Sequence, residues 1–282
     1  MKLVRFGAPG REKPGIIDKN GRIRDLSGVV PDITGDVLGP KGLAKLRKTP
    51  IDKLPLVRGT PRLGPCVGKV GNYIGIGLNY ADHAAEQNVP VPTEPVIFNK
   101  QPTCICGPND DTMIPKGSTK LDYECELAVV IGQRARYLAK KDALSVIAGY
   151  CVANDVSERA FQNERGQTFS KGKGCETFGP LGPWLVTADE VKNPQKLDMW
   201  LDVNGEKRQR GNTKTMVFDV AHLIWYCSQL FVMEPGDVIA TGTPPGVVLG
   251  MKPQVWLKAG DVVKLGIEGL GEQQQKIVKF KM

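Results

Sequence analysis

The sequence predicts a β-rich α+β fold, with one large domain preceded by a small β-rich module. Two observations lead there. From Tyr73 onward, short β-rich runs alternate with Gly and Pro punctuation, and only two segments keep a helical period. Before that point, short strand-like runs are followed by a polar, proline-bearing stretch.

In chain order, Leu3 to Phe6, Gly15 to Asp18 and Arg22 to Asp25 read as strands, with Lys19-Asn20-Gly21 supplying a hairpin turn. Pro50, Pro55, Pro61 and Pro65 mark a boundary, which places the expected domains at residues 1–65 and 70–282. Further strands are expected at Tyr73 to Gly77, Val96 to Phe98, Glu126 to Ile131, Ile147 to Asn154, Leu197 to Val203 and Val262 to Ile267. One helix is expected from near Asn79 through Glu86. A second runs from about Phe218 to Leu230, where Val220, Leu223, Ile224 and Cys227 share one face.

Composition narrows the function classes. Apolar residues make up 41% and charged residues 24%, a globular balance, and no stretch approaches the roughly 20 apolar residues of a membrane span. Met1 to Phe6 lacks the apolar core and cleavage site of a secretory signal, so a cytoplasmic location is expected. The seven cysteines form no C-x-x-C pair and have no nearby His to complete a zinc site, which makes buried free thiols the expectation. The net charge of +8 is scattered among acidic residues. That argues against a nucleic-acid partner and for a field that draws in a small carboxylate.

The chemistry concentrates in a few places. Glu124 and Glu126 open an apolar strand two residues apart, so both point the same way, a like-charge arrangement that a cation relieves. Asp155 ends a second apolar run and needs a partner there. Three carboxylates without His or Cys favour Mg²⁺ or Mn²⁺ over zinc. Arg159 and Gln162 follow Asp155 on one helical face, offering a cation and a carboxamide to an anionic ligand. Lys173 sits in the Gly-rich stretch 170–180, which lacks P-loop spacing. His83 and Glu86 stand three residues apart on the first helix and can touch, whereas His222 reads as structural. Thr243 lies in a Gly/Pro-rich loop after Pro235-Gly236-Asp237 and can donate to a carboxylate. Gln87 to Glu94, polar and bearing Pro90 and Pro92, reads as a mobile cover.

Taken together, Gly77-Leu78-Asn79-Tyr80-Ala81-Asp82-His83, Asp122-Tyr123-Glu124-Cys125-Glu126, Asn154-Asp155-Val156-Ser157-Glu158-Arg159, Lys173 to Pro183, and Pro235-Gly236-Asp237 through Thr241-Gly242-Thr243-Pro244 resemble the fumarylacetoacetate hydrolase family. The resemblance implies a mixed β-roll catalytic domain, a homodimer, and a bound Mg²⁺ or Mn²⁺. It implies Glu124, Glu126 and Asp155 as ligands, His83 and Glu86 as a water-activating dyad, and Arg159, Gln162, Lys173 and Thr243 as substrate-facing groups. The chain departs from many relatives after the lysine, where it reads Gly174-Cys175-Glu176-Thr177-Phe178.

The expected reaction is metal-dependent hydrolysis of the C3–C4 bond of a 2,4-diketo acid, releasing pyruvate. Diketo-3-deoxy sugar acids such as the L-rhamnonate or L-fuconate derivatives stand first by resemblance. Two other readings remain open at this stage. One is isomerisation of a hydroxy-diene-dioate or decarboxylation of an oxaloacetate-like acid on the same metal; the other is a non-catalytic binding protein on the same fold.

Overall fold

The computed structural model describes residues 1–280. Its centre is a ten-stranded sheet whose middle strands, Cys125–Ile131 and Ile147–Asn154, are buried along their whole length. Such continuous burial explains why both read as unbroken apolar runs rather than alternating ones. They pair antiparallel, with Asn154 opposite Cys125 and Ala153 opposite Glu126. Val238–Ala240 pairs with Cys125–Ile131 on one side and Tyr73–Gly77 on the other, and Val96–Lys100 ends that edge. A five-stranded sheet, built from Asp198–Val203, Glu206–Asn212, Val262–Ile267, Gly271–Val278 and Thr112–Met113, packs beside it. The β-rich α+β class and the large strands agree with the sequence reading.

The small module is not a separate sheet. Its strands Lys2–Phe6, Lys13–Ile17 and Ile23–Asp25 extend the main sheet, because Lys2–Phe6 pairs with Gly179–Thr187. Asp18 closes the Asn-Gly hairpin by accepting the backbone N–H groups of Asn20 and Arg22 and the side chain of Arg24. Two helices, Gly35–Leu38 and Pro40–Arg47, were not foreseen. They are short, and the longer one is mostly polar and buries only Leu43 and Leu46, too few apolar residues to mark a helix in the sequence.

The two expected helices form as Ala81–Glu86 and Val220–Leu230. Asp219 caps the second by accepting the His222 N–H at 2.7 Å. His222 itself lies at the helix surface, beside Trp225 and 3.4 Å from Lys140 Nζ. All seven cysteines are free; Cys106 and Cys175 are half-buried and the other five buried. Among the described residues no helix is long and apolar enough to cross a membrane.

Candidate active site

The two central strands place the acids. Glu124 precedes one strand and Asp155 follows its antiparallel neighbour, so they face each other, and the Asp155 N–H donates to the Glu124 carbonyl at 2.9 Å. Glu126 lies two residues along. One carboxylate oxygen from each of Glu124, Glu126 and Asp155 falls within 4.8 Å of the others. All three residues are buried.

Three cations hold this cluster together. Lys173 Nζ donates to Glu124 Oε2 at 2.7 Å and to Asp155 Oδ2 at 2.6 Å. Arg159 donates to Glu124 Oε1, to Asp122 Oδ2 at 2.9 Å and to Gln162 Oε1 at 3.0 Å. Lys100 donates to Asp155 Oδ1 and to the Phe178 carbonyl. Burial pushes the Glu124 carboxyl up, but Lys173 and Arg159 outweigh it and hold the group well below the usual carboxylate range. Burial likewise disfavours the Lys173 ammonium, and Asp155 and Glu124 more than compensate, raising its pKa and keeping it a donor.

Glu126 is the exception. Its Oε2 accepts the Gly242 N–H at 2.9 Å, and no Lys or Arg among the described residues is ion-paired with it. Burial, followed by Asp155 and Glu124, pushes its carboxyl well above the usual value. Gly242 can approach because its φ of +95° and the 2.9 Å that would separate a Cβ from Asn79 both demand glycine. Once Glu126 ionises to serve as a ligand, four carboxylates (Asp122, Glu124, Glu126 and Asp155) face three cations (Lys100, Arg159 and Lys173), one positive charge short. A divalent ion turns that deficit into an excess of one, which a monocarboxylate ligand neutralises. The donor set, all hard oxygens with spare lone pairs, therefore fits Mg²⁺ or Mn²⁺.

A cavity of about 220 Å³ opens above the cluster, walled by His83, Gln87, Glu124, Glu126, Arg159, Gln162, Lys173 and Thr243 among others. His83 Nδ1 is 3.0 Å from Glu86 Oε2, and Glu86 Oε1 accepts the Gly246 N–H at 2.9 Å. With Glu86 accepting on both oxygens, Nδ1 carries the imidazole proton and Nε2 is the basic nitrogen. Arg159 fixes Gln162 through its carbonyl oxygen, which leaves the Gln162 NH₂ for a ligand. The Thr243 hydroxyl donates to the Cys125 carbonyl at 2.9 Å and accepts from Gln209 at 2.8 Å, so its proton is already committed.

Lys173 ends a one-turn helix, Phe169–Lys173, rather than lying in an open loop. Gly172 permits this, since a Cβ there would lie 2.6 Å from the Glu158 carbonyl. Neither Cys175 nor Glu176 lines the cavity. The segment after Glu86 is largely exposed and is tied at its end by Tyr226 Oη to Glu94 at 2.8 Å. Sequence reasoning missed Lys100, Asp122 and Gln87. Lys100 carried one faint signal, a lysine closing an apolar strand.

Three buried carboxylates whose oxygens suit a hard metal, with a histidine–glutamate pair at the cavity rim, are thus set on a sheet-rich fold. The chain belongs to the fumarylacetoacetate hydrolase family: the family model described as fumarylacetoacetate hydrolase C-terminal matches residues 72–278. A Burkholderia multivorans protein, provisionally named a hydrolase with no substrate given, is 63% identical over 276 residues, covering 98% of both chains. The fumarylacetoacetate hydrolase of psychrophilic Exiguobacterium antarcticum is 36% identical and superposes with a TM-score of 0.87, over 99% of this chain and 100% of that one. The maleylpyruvate hydrolase of Sphingobium sp. SYK-6, solved with manganese(II) and pyruvate, is 28% identical with a TM-score of 0.82, over 100% of both chains.

Proposed function

We propose that this protein hydrolyses the C3–C4 bond of a 2,4-diketo acid to pyruvate and a second acid, with 2,4-diketo-3-deoxy sugar acids such as the L-rhamnonate or L-fuconate derivative as first candidates. The observation that carries the reading is the His83–Glu86 pair, held at 3.0 Å on the rim of a cavity floored by Glu124, Glu126 and Lys173, with Asp155 in the same carboxylate cluster. Decarboxylation or isomerisation needs a stabilised enolate but no activated water. A base oriented toward the cavity favours water attack.

Glu124, Glu126 and Asp155 would hold Mg²⁺ or Mn²⁺, which when bound supplies Lewis acidity to the carboxylate end of the substrate. The chain's own groups do the rest. Glu86 keeps the proton on Nδ1, so His83 Nε2 takes a proton from water as the water oxygen attacks C4. The Lys173 ammonium and the Gln162 NH₂ stabilise the oxyanion that forms there. The oxyanion collapses to the second acid as the C3–C4 bond breaks, the bond's electrons pass to the pyruvate enolate, and the proton held on His83 is returned to C3. Arg159 positions Glu124 and Gln162. Thr243, with its hydroxyl committed, serves the substrate side through the shape of its loop. Homodimeric assembly and a cytoplasmic location complete the proposal, by likeness to the family.

The test is pyruvate release, coupled to lactate dehydrogenase, from a panel of acylpyruvates and 2,4-diketo-3-deoxy sugar acids with Mg²⁺ or EDTA. Metal-dependent pyruvate, abolished in Glu124→Ala and His83→Ala, supports the hydrolase. Loss of CO₂ from oxaloacetate or a diene absorbance change, with no pyruvate from any diketo acid, overturns it in favour of decarboxylase or isomerase.

A further inference from the structure

The basic nitrogen of His83 is already occupied. Gln87 Nε2 lies 2.7 Å from His83 Nε2, and because Nδ1 holds the proton, the contact is an amide N–H donated to the imidazole lone pair. A water molecule cannot give its proton to that nitrogen while Gln87 remains there. Gln87 is half-buried and stands in the wall between two spaces. It lines the inner cavity, and together with Leu249 it also lines an outer groove of about 580 Å³ whose other walls include Asn88, Met251, Lys252 and Gln254.

The volumes decide what this wall does. The inner cavity, at about 220 Å³, is smaller than ligand pockets of roughly 300–1,000 Å³, and the two spaces together fall inside that range. Gln87 and Leu249 line both spaces, so a substrate chain that runs from the inner cavity into the outer groove passes Gln87. Gln87, Asn88 and Gln254 bring three amides to the groove, beside the charged Glu86 and Lys252. Gln254 Nε2 donates one N–H to the Leu249 carbonyl at 2.8 Å, which leaves its second N–H and its carbonyl oxygen for a ligand. Asn88 is exposed, with both donor and acceptor available. Donors and acceptors side by side suit hydroxyl groups, each of which both gives and takes a hydrogen bond.

Building on the hydrolase reading, we infer that Gln87 determines specificity: a hydroxylated tail entering the outer groove takes up the Gln87 amide and frees His83 Nε2, whereas a short tail leaves the base capped. Binding of the right tail thereby switches on the base, which links substrate choice to turnover rather than to binding alone.

The experiment uses the full chain with Mg²⁺, carrying His222→Gln so that His83 is the single imidazole. In ¹⁵N spectra, Gln87→Leu moves the His83 Nε2 resonance toward that of an uncapped lone pair. Saturation of the Gln87-containing protein with pyruvate plus glycerate, a hydroxylated tail acid, moves it the same way. An unmoved resonance in either case overturns the inference whichever reaction the site performs. In turnover, Gln87→Leu raises kcat on acetylpyruvate about three- to tenfold, the worth of one hydrogen bond, and erases the lead of hydroxylated substrates. An equal change for both substrate types overturns the selection. Absence of cleavage of every diketo acid, with the resonance moving as stated, sinks the hydrolase reading and leaves the capped base and its release by hydroxylated acids standing.

Discussion

The ammonium of Lys100 and the carboxylate of Asp155 form an ion pair from which solvent is wholly excluded. Lys100 also donates to the Phe178 carbonyl at 2.9 Å and lies 5.5 Å from the centre of the Tyr73 ring, so each face of the ammonium has a partner. It does not line the cavity, whose cations are Lys173 and Arg159.

Replacing Lys100 by Met leaves Asp155 Oδ1 buried without that charge. Loss of one partner of a buried pair costs about 3–5 kcal/mol. A divalent ion relieves part of that cost, so the stability gained on adding Mn²⁺ will be larger in the variant than in the parent protein. Calorimetric unfolding with and without Mn²⁺ reads both quantities. An equal gain in the two proteins would show that Asp155 does not share its charge between lysine and metal.

Glu126 gives a pH dependence with a definite sign when metal is removed by EDTA. Its carboxyl is held well above the ordinary value of 4.5, so the folded chain binds that proton more tightly than the unfolded chain. The contribution is full below about pH 4.5 and disappears as pH rises through the folded value, each tenfold weakening in acidity being worth about 1.4 kcal/mol. Glu124 runs in the opposite direction, its contribution present above 4.5 and lost as pH falls below it. Glu126→Gln will therefore be more stable than the parent near pH 7 in EDTA, and the difference will vanish near pH 4. With Mn²⁺ the order reverses, because an amide is the weaker ligand. Denaturant melts across this range check the prediction.

Glu86→Gln tests how the base is oriented. The Gly246 N–H will select the amide oxygen, turning the amide NH₂ toward His83 Nδ1. The imidazole then carries its proton on Nε2 and cannot accept one from water. A loss of about 10²–10⁴ in kcat is expected, comparable to removing the base, with little change in metal-induced stabilisation. Retention of most activity would remove the dyad from the mechanism.

Arg159→Lys keeps the charge and loses the fork. One ammonium cannot reach Asp122, Glu124 and Gln162 together, as the guanidinium does. We expect about 1–3 kcal/mol of lost stability, since buried acceptors are left short of donors. We also expect a raised KM, since Gln162 is no longer held with its NH₂ toward the cavity. A variant with unaltered KM would show that Gln162 needs no such support.

Much of the site was legible because its signals are local. Glu124 and Glu126 announce themselves by strand alternation, Asp155 by ending an apolar run, and His83 with Glu86 by helical spacing. The residues that escaped notice act over distance. Lys100 is 55 positions from Asp155, and a lysine after Asn99 looks like any solvated strand end. Gln87 sits in a polar segment that gives no hint of pointing inward. The fold was legible in its long buried strands, which are rich in β-branched residues. The Gly35–Leu38 and Pro40–Arg47 helices were not, because they are short and carry few apolar residues, and burial of Val37, Leu38, Leu43 and Leu46 supplies what so brief a pattern lacks.

The pairing of Lys2 with Val186 and Leu3 with Leu185 makes the amino-terminal segment part of the same hydrogen-bonded fabric as the catalytic strands. Cutting it away would do more than shorten the molecule. It would bare the outer rim of Gly179–Thr187 and offer its unpaired amides to any passing chain, so what looks like an appendage is also the selvedge that keeps the sheet from sticking to its neighbours.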